Sequence, residues 1–171
     1  MEQDEGSGVL VELFRLPKLS DWRTTFLGTI AFCALALPFG FLSGLFSWMP
    51  EQDVTNVLRV ALIAFVLPAF VEEVVFRGPL IWAKQSKGEL PILAMVISLI
   101  AFVAWHPINT VLFMPQAAEL FRDWRFLLIA LWLGVIATMV SLRSGSIWTA
   151  IIFHWGVVVA WKAFLGAPAF L

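Results

Sequence analysis

Five apolar runs, each near the roughly 20 residues that cross a bilayer as a helix, follow one another along the chain and dictate what it can fold into. They cover about residues 24–48, 60–84, 91–105, 126–142 and 146–165. In lipid every backbone N–H and C=O must be satisfied within the protein, which leaves helices as the fold for runs of this length. The third run is short by count. A helix through it continues past His106, with Pro107 in a kink of the kind membrane helices tolerate. The expected fold is all-α: a polytopic membrane helix bundle of about five transmembrane helices. Composition agrees, since 61% of the residues are hydrophobic and 13% charged, against about 45–50% and 25% in soluble domains.

The segments around the spans set organisation and orientation. Residues 1–23 read as a cytoplasmic or interfacial segment, and 24–171 as a single transmembrane domain without internal repeat or low-complexity stretch. The acidic start lacks the basic region of a cleaved signal peptide, so the first span is expected to drive insertion. Residues 9–16 mix apolar positions with Glu12 and Arg15 and read as a short helix on the membrane surface. Residues 107–124, with Leu112, Phe113 and Met114, read as a connection that dips into the membrane. Lys and Arg gather before the first span and in the 2–3 and 4–5 loops, which puts the amino terminus in the cytoplasm. The expected location is the cell membrane, plasma or inner.

Trp22, Trp48, Trp82, Trp124 and Trp148 fall near span ends, where an amphipathic ring prefers the headgroups, while Trp132 and Trp155 read as packing residues. Gly40 with Gly44, and Ala137 with Ser141, have the small-residue spacing that lets helices approach closely. The single cysteine, Cys33, permits no disulfide framework and reads as ordinary packing. A net charge of −1 argues against nucleic acid as a partner.

The chemistry lies in the second span. Glu72, Glu73 and Arg77 interrupt an apolar run, and each charge near a helix centre costs roughly 2.5–3.5 kcal/mol on insertion scales. They must therefore face protein or a wet cavity. Glu73 and Arg77 are four residues apart on one helix face and can pair. Glu72 is rotated by about 100° and lacks that partner, which suits a general base. The only histidines, His106 and His154, lie in the third and fifth spans. Counted from the cytoplasmic ends at about 1.5 Å per residue, Glu72, His106 and His154 lie about 18, 22 and 14 Å deep, so the three side chains can meet.

Glu72-Glu73-Val74-Val75-Phe76-Arg77 reads EExxxR, Phe102 to His106 reads FxxxH, and His154 opens a third motif. In this order and in membrane helices, the motifs resemble the CAAX protease and bacteriocin-processing family, also called Abi proteins, over about residues 57–160. The first span would be an accessory. The resemblance implies a glutamate-type intramembrane endopeptidase without metal or other cofactor, acting on a peptide or lipid-modified protein substrate in membrane lipid. It implies that Glu72 activates water with His106, that Glu73 and Arg77 support the site with Phe102 of the second motif beside them, and that His154 donates to the oxyanion. The family usually carries Asn or Asp four residues after that histidine, where this chain has Val158. Half of the usual oxyanion pair is therefore missing, and Asn109, about one turn past His106, is a conceivable substitute.

Three other readings stay open on the residues alone. One is a catalytically impaired family member acting as a scaffold or immunity protein, which Val158 favours. Another is a zinc-dependent membrane peptidase with Glu72, His106 and His154 as ligands, although the spacing lacks HExxH. The last is a transporter or channel, since intramembrane carboxylates also mark ion pathways.

Overall fold

The computed structural model describes residues 13–89 and 92–167. Among these the regular structure is helix, without a strand, and five helical stretches are long and apolar enough to cross a membrane. The all-α polytopic membrane bundle expected from the apolar runs is the fold. Of the surface helix expected at 9–16, residues 9–12 lie outside the described part. From Leu13 the chain leaves helix at Phe14 and runs irregularly to Lys18.

α1 (Leu19–Leu42) starts earlier than the apolar run because the Lys18 N–H donates to Asp21 Oδ2 at 2.8 Å, a cap that holds the first turn. It ends at Ser43, short of the expected 48. Gly44 follows in the left-handed region at φ +73°, where a Cβ would meet nothing within 4 Å. Gly40 and Gly44 therefore do not form a helix-packing face. Gly40 instead receives the ring of Phe46 as the chain folds back, and a Cβ there would lie 2.1 Å from Phe46 Cδ2. Ala137 and Ser141 are fully buried.

The second span is not one straight helix. α2 (Val54–Ala64), capped by Asp53 accepting from the Thr55 N–H, runs into a kinked segment, Phe65–Phe70, then α3 (Val71–Phe76) and α4 (Gly78–Lys87). The kink sits at Leu67, with extended φ −128° and ψ 114°, because the residue before a proline, here Pro68, is pushed out of the α region. A second break falls at Arg77, two residues before Pro79, whose ring nitrogen cannot donate. The Ser98 hydroxyl closes this break by donating to the Phe76 carbonyl at 2.6 Å.

α5 (Ile92–Leu112) continues past His106 and carries Pro107 inside it, as its sequence suggests. A short 3₁₀ turn (Pro115–Ala117) and α6 (Ala118–Phe121) lead to α7 (Trp124–Ser144) and α8 (Ile147–Phe164). Phe32 and Ala36 of α1, Phe102 of α5, Leu133, Ile136, Ala137 and Val140 of α7, and Ala150 and Phe153 of α8 form the main core. Trp132 and Trp155 pack against core residues, as expected of them.

The bundle has two polar ends. At one, Arg15 donates to the Ser144 carbonyl, Lys84 to that of Leu142 and Gln85 to that of Gly145. At the other, Arg125 donates to the Ser43 carbonyl, Arg122 to the Thr110 hydroxyl, and Met49 pairs with the 164–165 backbone.

Candidate active site

Glu72, Glu73, Arg77, Phe102, His106 and His154 are all buried, at 8%, 0%, 1%, 1%, 8% and 3% exposure. Three breaks in helical regularity place them. The kink before α3 sets the two glutamates at the start of a fresh six-residue helix, and the break at Arg77 ends that helix. The third break is Pro107. Lacking an N–H, it frees the Val103 carbonyl from its helical bond, and the His106 ring interacts with the Phe102 and Val103 carbonyls, Nδ1 lying 3.1 Å from Phe102 O. A carbonyl can only accept, so Nδ1 of His106 carries the hydrogen and Nε2 of the neutral ring keeps a lone pair.

The two neighbouring glutamates are treated differently. Glu73 Oε1 lies 2.8 Å from His154 Nδ1 and 3.4 Å from Arg77 Nη1, while its Oε2 faces Arg77 Nε at 3.3 Å as an ion pair without hydrogen-bond alignment. Glu72 Oε2 is buried with no hydrogen-bond partner among the described residues. The pairing of Glu73 with Arg77 that the four-residue spacing suggested is present. That His154 would join Glu73 was not foreseen. The bond orients the ring and leaves Nε2 as its free nitrogen.

Arg77 is packed as tightly as it is paired. Its Nη2 donates to the Gly134 carbonyl at 3.2 Å, and its Cζ sits 4.0 Å from the centre of the Phe102 ring. A Cβ at Gly134 would lie 2.7 Å from Leu99 Cδ1 and 3.0 Å from both Arg77 Nη2 and Phe102 Cδ1. A larger residue here would have to displace these side chains. Phe102 in turn makes edge contacts with Phe76, His106 and His154, at ring-centre distances of 5.4, 5.3 and 6.0 Å.

His106 and His154 both meet the Phe102 ring, and Glu72 is the chain neighbour of Glu73, to which His154 is bonded. The three expected groups are therefore brought to one region around Phe102. Gly134 and Ser98 belong to this region and were missed from sequence, because a glycine or serine in an apolar run carries no charge to mark it. Asn109 is not brought in: its amide contacts Met114 Sδ at 3.9 Å. Among the described residues no three His, Cys, Asp or Glu side chains gather in ligating positions, so the zinc arrangement of Glu72 with both histidines is not formed.

The model of one protein family, described as type II CAAX prenyl endopeptidase Rce1-like, matches residues 54–160. No curated protein matches the chain, and no solved structure does.

Proposed function

Since the chain belongs to the Rce1-like family of type II CAAX prenyl endopeptidases, a family of membrane proteases, we propose that it cuts a hydrophobic or lipid-modified peptide within the membrane, with Glu72 as general base. The observation that carries this reading is the inequality of the two glutamates. Glu73 is held by Arg77 and His154, while Glu72 keeps a buried oxygen free to take a proton.

In the proposed reaction a water lies between Glu72 and the Nε2 lone pair of His106. Glu72 takes one proton as the water oxygen attacks the scissile carbonyl carbon, and the carbonyl electron pair moves to oxygen. As the C–N bond breaks, Glu72 passes that proton to the departing amine. His154 donates to the oxyanion through Nε2. While its Nδ1–H stays on Glu73, this donation uses the doubly protonated ring, whose charge the Glu73 carboxylate balances. Removing one oxyanion donor costs about 2.7–4 kcal/mol of barrier in enzymes where it has been measured. No metal takes part in this scheme.

Arg15, Lys18, Arg23, Lys84, Lys87 and Arg143 lie in or beside the segments that meet at the α4 and α7 carboxyl ends. This supports a cytoplasmic amino terminus in a plasma or inner membrane. Residues 24–171 act as one domain in this reading, because α1, outside the family match, packs on α7 and α8.

Val158 favours a second reading, a scaffold or immunity protein that binds a peptide or membrane partner without cutting it. Purified protein in proteoliposomes, given a fluorogenic prenylated peptide and its unprenylated counterpart, separates the two. Cleavage that persists in chelator and vanishes in Glu72→Gln supports the peptidase. Binding of the peptide without cleavage supports the scaffold, and cleavage lost on chelation returns the zinc enzyme.

A further inference from the structure

If Glu72, His106 and His154 hydrolyse a peptide, water and a chain must reach groups that are at least nine-tenths covered. Some covering element has to move. α5, α7 and α8 are long helices locked together by the main core, and shifting any of them would expose many apolar side chains at once. The α5–α7 connection is different. It consists of a three-residue 3₁₀ turn and a four-residue helix packed on α5.

Two aromatic side chains of this connection pack on α5 at His106 and its neighbour. Phe121 makes an edge contact with His106 at 5.3 Å, and Phe113 lies 6.1 Å from the neighbouring Trp105. Phe121 also stacks on Phe126, which touches His106 from α7 at 5.1 Å. At its start the segment is tied to α5 through Asn109, whose carbonyl accepts from the Phe113 and Met114 N–H groups and whose amide meets Met114 Sδ; at its far end Arg122 Nε donates to the Thr110 hydroxyl at 3.2 Å. No carboxylate lies within ion-pairing distance of Arg122 among the described residues. His106 is six residues from the carboxyl end of α5, about 9 Å, at the membrane face where this connection lies, while His154 sits near the middle of α8.

We infer that residues 113–123 are a movable cover over the site, with Phe121 as its plug and Arg122–Thr110 as its catch, through which substrate and water enter from the membrane face opposite the amino terminus. This rests on the peptidase reading, but its opening needs no turnover and is measured separately.

Ala117 is fully buried in the cover, so Ala117→Cys in a Cys33→Ala background reports the opening by its reaction with a membrane-impermeant maleimide in proteoliposomes. Glu119→Cys, exposed on the cover, and Ala137→Cys, buried in the main core, set the fast and unreactive limits. Labelling at 117 is expected between these limits, and Phe121→Ala or Arg122→Ala should speed it at least about tenfold, the effect of losing one aromatic or polar contact on a local opening equilibrium. Rates at 117 that equal the core limit in parent and variants alike, or the surface limit in the parent, would overturn the cover. In Glu72→Gln protein, a saturating prenylated peptide should change the rate at 117 several-fold, and an unchanged rate would overturn the entrance. Failure of the peptidase reading shows instead as intact gating at 117 with no peptide cleaved by the parent.

Discussion

Two polar clusters lie within this apolar bundle, and they are built on opposite terms. The first, at the α7–α8 turn, is closed on itself. The Ser144 hydroxyl meets the Ser146 N–H, the Ser141 and Ser146 carbonyls and the Thr149 hydroxyl, while Ser146 Oγ donates to the Arg15 carbonyl at 2.6 Å. Of its side chains only Gln85 keeps a buried oxygen without a partner. The second, around Phe102, holds a buried carboxylate oxygen without a hydrogen-bond partner among the described residues, a histidine nitrogen with a lone pair to offer, and an ion pair short of hydrogen-bond alignment. A saturated network fixes geometry and offers nothing to a ligand. An unsaturated one costs stability, since a buried polar group without a partner is expensive, and that cost marks the place where chemistry is to be expected.

The contrast can be broken at four positions. The largest effect is expected at Glu72, where Glu72→Gln keeps shape and removes the base. Cleavage should fall by about 10⁴-fold, the upper end for loss of a general base, with the thermal midpoint in detergent preserved. A variant that unfolds would mean that this carboxylate is structural after all. Glu73→Ala should do the reverse to the fold. Stripping Arg77 and His154 of their common partner leaves a buried charge uncompensated, at about 3–5 kcal/mol, which denaturant or thermal unfolding will read as a large loss. Gly134→Ala pushes a methyl against Leu99, Arg77 and Phe102, at about 1–3 kcal/mol of overpacking. Its sharper signature is a fall in kcat larger than the fall in stability alone explains, because Arg77 shifts with Glu73. Smallest is Ser146→Ala, which loses one hydrogen bond, about 1 kcal/mol, and leaves the cleavage rate of folded protein unchanged. A rate that drops with it would erase the distinction between the two clusters.

Much of this was legible in the sequence because lipid is a severe solvent. The cost of charge in an apolar run singled out Glu72, Glu73 and Arg77, and the same logic raised two histidines above ordinary packing. The four-residue spacing paired Glu73 with Arg77 correctly. What stayed hidden depends on backbone irregularity and on contacts between distant helices. A single helix over 60–84 hides the kink at Leu67 and the break at Arg77, although Pro68 and Pro79 are printed in the sequence, because prolines in membrane helices are tolerated as often as they break them. The Glu73–His154 bond joins residues 81 positions apart and has no local signature. Gly40 and Gly44 misled for a related reason. Small residues at helical spacing look alike whether a neighbouring helix or the returning chain fills the notch.

The pairing of Glu73 with Arg77 inside one helical turn also bears on how such a protein is made. As the second span leaves the ribosome, α5, α7 and α8 do not yet exist, and the segment must enter the bilayer carrying its own ionised groups. A counter-ion one turn away is available at that moment, whereas the imidazole of His154 is synthesised 81 residues later. The nascent span can therefore partition with one of its acidic groups already neutralised, and α8, arriving later, docks onto a charge pair that is waiting for it.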